Sequence, residues 1–194
     1  MINSYEQFFD LYPKEDFFEF GLNNIITIDL DKATIEWEEL VLRVENKSPD
    51  LYVRSYGRKG SGIDTLKALY RDVFGININI DGTNNSKPKS MLQNLTGYKV
   101  NKTIFNYQIS HVYGRTKNVF CFTAPWNIMF IPKIIDPITG HEATGRFVEE
   151  FQLLMKNKIE TKFIESINDY NKLMKLYYPL VKDWASSKVE PKKQ

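Results

Sequence analysis

The sequence predicts a single α+β domain, and three observations carry that expectation. Two short apolar runs, one closing on His111 and one opening at Asn127, have the length and boundaries of strands. Residues 144–156 instead place Phe147, Val148, Phe151, Leu154 and Met155 on one side of a helix, and a second helical stretch runs over 163–184 with a break at Pro179. A chain of 194 residues with 42% hydrophobic residues buries a full core as one domain, with or without a smaller lobe. The expected layout over 1–194 is an N-terminal α/β part over 1–80, a strand-strand-helix unit over 104–145, C-terminal helices over 146–185 and a disordered polar tail over 186–194.

Each element has a local reason. Ser4 and Gln7 are spaced as a capping box, so a short helix is expected over 4–12, closed by Pro13. Residues 25–30 and 33–44 read as the two strands of a hairpin turning near Asp31-Lys32, with Ile35, Trp37 and Val41 alternating against charged neighbours. A further short strand is expected over 51–56. A basic, glycine-rich stretch with Arg58 and Lys59 then leads into a helix. Its apolar residues Ile63, Leu66, Leu69, Tyr70, Val73 and Phe74 keep helical spacing, and Gly75 suits the left-handed residue after its end. Residues 76–80 alternate as a strand, and a turn-rich link precedes a helix over 88–95 stopped at Gly97. Ile104, Tyr107 and Ile109 lead to His111, and the run opened by Asn127 stops at Pro132, where the next ladder donor is missing.

Composition and charge narrow the function. One cysteine, Cys121, excludes internal disulfides, and with the two histidines it lacks the paired close ligands of a structural zinc site. No apolar run approaches the ~18 residues of a membrane span, and the first residues are acidic where a signal peptide is basic, so a soluble cytoplasmic protein with no membrane partner is expected. The formal net charge of +2 conceals an asymmetry. Residues 1–50 carry four basic and twelve acidic side chains, whereas residues 51–133 carry twelve basic and three acidic ones. A basic middle of this kind is what a polyanion-facing surface produces, although solvated cations scattered over several faces give the same count.

Both histidines fall in the strand-strand-helix unit. His111 closes the first strand, Asn127 opens the second, and His141 follows a short helical segment started by Asp136 as cap and Pro137 in its first turn. This order of His, Asn and His resembles the HNH nucleases, whose core is a ββα-metal fold. The resemblance covers residues 105–145 and implies a metal-dependent endonuclease hydrolysing phosphodiester bonds. It implies His111 as the base, Asn127 as the residue that orients it, and His141 as a ligand of Mg²⁺ or Mn²⁺. The place before the base, acidic in many HNH proteins, holds Ser110, so the cation leans on His141, Asp136 or Glu142.

The chemistry is coherent with those residue types. Hydrolysis needs a base to activate water, a group that fixes the base's tautomer, and a cation facing the phosphate. Arg115, Lys117 and Asn118 in the loop after His111, with Lys87, Lys89, Arg58 and Lys59, are the expected nucleic-acid contacts, because charge-assisted bonds to phosphate are the strong ones. Double-stranded DNA is the expected partner, a homodimer is allowed, and a type II restriction or phage-defence role follows by analogy with the family. Two other classes stay open. One is a non-catalytic nucleic-acid-binding protein. The other is an interaction module of a larger intracellular complex, using Phe8, Phe9, Phe17, Phe18 and Phe20. Glu45-x-Lys47 also has the local form of a PD-(D/E)xK nuclease strand.

Overall fold

The computed structural model describes residues 2–55, 62–83, 85–140 and 143–188. It is an α+β protein, predominantly helical, with two small two-stranded sheets. Among the described residues no helix is long and apolar enough to cross a membrane.

The chain opens with two helices, α1 (Ser4–Phe9) and α2 (Lys14–Asn23). Asn3, one residue before the expected cap, accepts the Tyr5 amide at 3.1 Å. The helix α2 follows Pro13 and presents Gly21 to the long C-terminal helix. A Cβ there would meet the Phe151 ring at 2.9 Å, so the glycine sets how closely the two helices approach.

The hairpin expected over 25–44 is not formed. Residues Leu30–Glu45 make a 16-residue helix, α3, capped by the Asp29 carboxylate on the Asp31 amide. Its buried residues, Ala33, Trp37, Leu40 and Val44, lie three and four apart, whereas Ile35 of the supposed alternation is 58% exposed. Three alternating positions are too few to outweigh a helical stripe of four. Glu45 therefore ends a helix, which removes the PD-(D/E)xK strand. Only Ile26 of this region keeps strand character, in a bridge to Phe130 with two 2.9 Å backbone bonds.

Strand β1 (Tyr52–Arg54) pairs in parallel with β2 (Asn79–Asp81) across a helical crossover, α4 (Ile63–Leu69), which continues into a π-helical turn over Tyr70–Phe74. Gly75 ends it at φ +66°, as its sequence position suggests. Asp81 closes β2 and accepts from the Thr83 amide and hydroxyl, the Ser86 hydroxyl and the Lys87 amide, which starts α5 (Ser86–Thr96).

Strand β3 (Tyr107–His111) then pairs antiparallel with β4 (Ile128–Pro132), with His111 opposite Ile128 and Tyr107 opposite Pro132. Between them lies a four-residue helix, α6 (Val119–Phe122). All of β4 is buried, so this strand is the centre of the core. After β4 a 3₁₀ turn (Lys133–Ile135) leads into α7 (Asp136–Thr139), which packs against β3 and the last helix. Ile135 occupies the cap position, and Asp136 is the first helical residue rather than the cap.

The C-terminal helices follow one another end to end across a kink at Phe163, and together they span the 42 residues of α8 (Arg146–Ser187). The expected break at Pro179 does not occur. The non-helical residue is Phe163, at φ −118° and ψ 28° and fully buried. Around Pro179 the helix projects Tyr178 and Leu180 outward, so water can take up the carbonyl that proline leaves unbonded. Ser186 and Ser187 of the expected tail are helical, and the residues after Lys188 lie outside the described ones.

Candidate functional site

The segment from His111 to Asn127 is folded around one side chain. Asn127 has no exposed surface. Its Oδ1 accepts the Tyr113 amide at 2.9 Å, and its Nδ2 donates to the Gly114 carbonyl at 3.1 Å and the Cys121 carbonyl at 2.9 Å. Its own backbone carbonyl accepts the Val112 amide at 2.9 Å. Only a carboxamide both accepts from one amide and donates to two carbonyls, so the residue type is dictated by this crossing of the loop. Gly114 and Arg115 turn the loop in consecutive left-handed conformations, φ +62° and +50°.

His111 sits against the same loop. Its ring stacks on Phe122 at 5.7 Å, and its Nε2 lies 3.0 Å from the Phe122 carbonyl. A carbonyl only accepts, so Nε2 carries the proton and the neutral ring has its lone pair on Nδ1. Burial, reinforced by the Arg54 charge and opposed by the Phe122 carbonyl, pushes the imidazole down to about 4. Asn127 does not touch this ring. It holds the carbonyl of Cys121, the residue before the one that holds His111.

A pH dependence follows. The unfolded chain protonates His111 near 6.5 and the folded chain only near 4, so the unfolded state binds the extra proton between those values. Stability is expected to be full above pH 6.5 and to fall on acidification through that window by roughly 3 kcal/mol, at 1.36 kcal/mol per pKa unit. Urea denaturation at pH 7 and pH 4.5, for wild type and His111→Gln, measures it. An equal loss in both proteins would place the effect on other groups.

The cations expected to grip phosphate are anchored internally to differing degrees. The ammonium of Lys117 donates to the Arg54 carbonyl at 3.0 Å and to the Ser55 carbonyl, tying this loop to the end of β1. Asn118 caps α6 through the Phe120 amide at 2.8 Å. Arg115 is exposed, and its guanidinium reaches the Tyr170 hydroxyl at 3.3 Å. Lys87 lies 4.0 Å from the centre of the Tyr52 ring, and Lys89 is exposed at the start of α5. Arg58 and Lys59 lie outside the described residues.

Of the three metal ligands implied, His141 and Glu142 also lie outside the described residues. Asp136 is half-buried at the start of α7. Among the described residues no three His, Cys, Asp or Glu side chains converge. One carboxylate does not compose a Mg²⁺ site. Cys121 is fully buried, its thiol pushed up to about 11 by burial, which keeps it a neutral core residue. Trp126 is likewise core, packed on Trp37 and Tyr170.

Two participants are barely marked in the local sequence. Arg54, on β1, places its charge near His111, and its guanidinium has no bonding partner among the described residues. Its position at a strand end before the basic stretch is the one available signal. Tyr170 receives Arg115 and Asn118 from more than fifty residues away, which no local pattern reveals.

The fold and this loop define an α+β protein whose β-hairpin carries a neutral histidine over an asparagine-clamped loop. The chain belongs to the family described as "Uncharacterised protein PM1201", which it matches over residues 28–194, a span that includes His111, Asn127 and His141. It is similar to a Pasteurella multocida (strain Pm70) protein of that same description, at 39% identity over 182 residues, covering 93% of this chain and 83% of that protein. No solved structure matches it.

Proposed function

We propose that this chain is a metal-dependent endonuclease of the HNH type, cutting double-stranded DNA. The observation that carries it is the clamp: Asn127 holds the loop whose Phe122 carbonyl fixes the tautomer of His111. That leaves Nδ1 as the basic atom, as activation of water requires. The proton passes from water to Nδ1 as the water oxygen bonds to phosphorus and the scissile P–O bond breaks, the leaving oxygen taking its proton from solvent, and the Nε2–H bond to the Phe122 carbonyl strengthens as the ring becomes cationic. A base titrating near 4 is weak, but an incoming phosphodiester sets a negative charge beside the ring and raises its proton affinity. Mg²⁺ or Mn²⁺, assigned to His141, Glu142 and Asp136, would neutralise charge on the phosphate when bound. Lys67, Lys89, Lys99 and Lys102 have no carboxylate within ion-pair distance among the described residues, in keeping with a polyanion partner. A cytoplasmic restriction or phage-defence role, as a homodimer, completes the proposal by analogy.

Incubating the purified chain with DNA and with RNA, in Mg²⁺, Mn²⁺ or EDTA, tests it. Metal-dependent cutting of DNA is expected. If neither polymer is cut, catalysis is wrong, and a log K that still falls by ~0.9 per phosphate neutralised as log salt rises identifies a non-catalytic binder. A second reading has its own observation. Phe8, Leu11, Tyr12 and Phe20 are 43%, 77%, 57% and 46% exposed on α1, α2 and their connection, an apolar surface suited to a protein partner. Absence of both cutting and nucleic-acid binding favours it.

A further inference from the structure

Between the π-helical turn and α8 lies a cavity of about 570 Å³, the size of a small-molecule site. Its walls are aromatic. Tyr177 stacks on Phe120 at 5.6 Å and leans on Phe74 at 4.8 Å, with Tyr70 beyond. Two donors face this apolar lining. Among the described residues Arg115 has no carboxylate partner, and its guanidinium reaches the neutral Tyr170 hydroxyl. The Asn118 amide donates to that hydroxyl at 3.3 Å and to the Met174 sulfur, a weak acceptor, at 3.2 Å. The backbone is unusual at both rims, in the π-helical turn Tyr70–Phe74 and in Arg115 at φ +50°, and deviations of these kinds gather at functional sites.

The geometry points to a binding site for a nucleoside monophosphate unit, its base against the partly exposed rings of Tyr177 and Phe74 and its phosphate on Arg115. Aromatic walls accept any base face, a guanidinium facing no carboxylate takes a phosphate, and the Asn118 amide can exchange its weak bond to the Met174 sulfur for an acceptor on the base edge. Phe120 lines this cavity while Phe122, two residues on in α6, stacks on His111, so the site lies directly behind the histidine loop. The unit is either a free mononucleotide or a base turned out of a strand.

The inference stands apart from cleavage, so it is tested in EDTA. Calorimetric titration of the full chain with AMP, adenosine and inorganic phosphate should give one site for AMP, weaker adenosine and weakest phosphate. Arg115→Gln should weaken AMP at least about tenfold and leave adenosine little changed. Val181→Trp, which fills the cavity from α8, should abolish both, with circular dichroism confirming that each variant is folded. Competition of AMP by a single-stranded oligonucleotide, lost when that oligonucleotide is abasic, assigns the site to a base within a strand, and AMP binding without competition assigns it to the free nucleotide. No binding of AMP or oligonucleotide, or AMP binding unchanged in Arg115→Gln or in Val181→Trp, overturns the proposal.

Discussion

His111→Ala is expected to lower cleavage by about 10²–10⁴-fold, the usual worth of a general base, while nucleic-acid affinity stays nearly unchanged. The separation follows from the geometry, since the ring's bond is to the Phe122 carbonyl and the proposed phosphate contacts lie on other residues. Truncation also opens a gap against Phe122, so lost activity in the alanine variant could reflect a loosened loop. His111→Gln answers this, because its amide can donate to the same carbonyl without offering a basic lone pair. Both variants should cut at the same reduced rate and melt near the wild type in the case of glutamine. A glutamine variant that cuts as fast as wild type would end the assignment of His111.

Asn127→Ala is expected to act on the fold before it acts on chemistry. Three groups lose their partner at once, the Tyr113 amide and the Gly114 and Cys121 carbonyls, in a place with no exposed surface. At about 1–3 kcal/mol for each of the three buried groups left unsatisfied, the loss is roughly 3–9 kcal/mol, comparable with the whole stability of a small domain. An orienting role alone would have produced a milder defect confined to cleavage. Asn127→Asp is expected to be no better, since it turns a carboxylate toward two carbonyl oxygens. Urea denaturation of the two variants at pH 7 checks both. A loss below about 1 kcal/mol for Asn127→Ala would mean that the loop keeps its shape without the clamp.

Much was written locally. Strands ending at His111 and Pro132, the left-handed Gly75, the helix stop at Gly97, and a buried Trp126 all follow from apolar period, turn chemistry and missing donors, which act within a few residues. What the sequence could not settle was where two periods compete or where the deciding partner is distant. Residues 33–44 offer three alternating positions and four helical ones, and only packing of Ala33, Trp37, Leu40 and Val44 into the core chose the helix. The bend in α8 falls at Phe163 rather than Pro179, because the phenylalanine is held in the core while the proline stands at the surface, where solvent absorbs its lost bond. Asn127 was legible as a residue that matters. That it grips the loop by three backbone groups, leaves the imidazole to the Phe122 carbonyl, and shares that loop with an aromatic cavity closed by Tyr170 and Tyr177 was decided only by the tertiary fold, because hydrogen-bond partners that close a long loop are chosen by proximity in space and not by spacing along the chain.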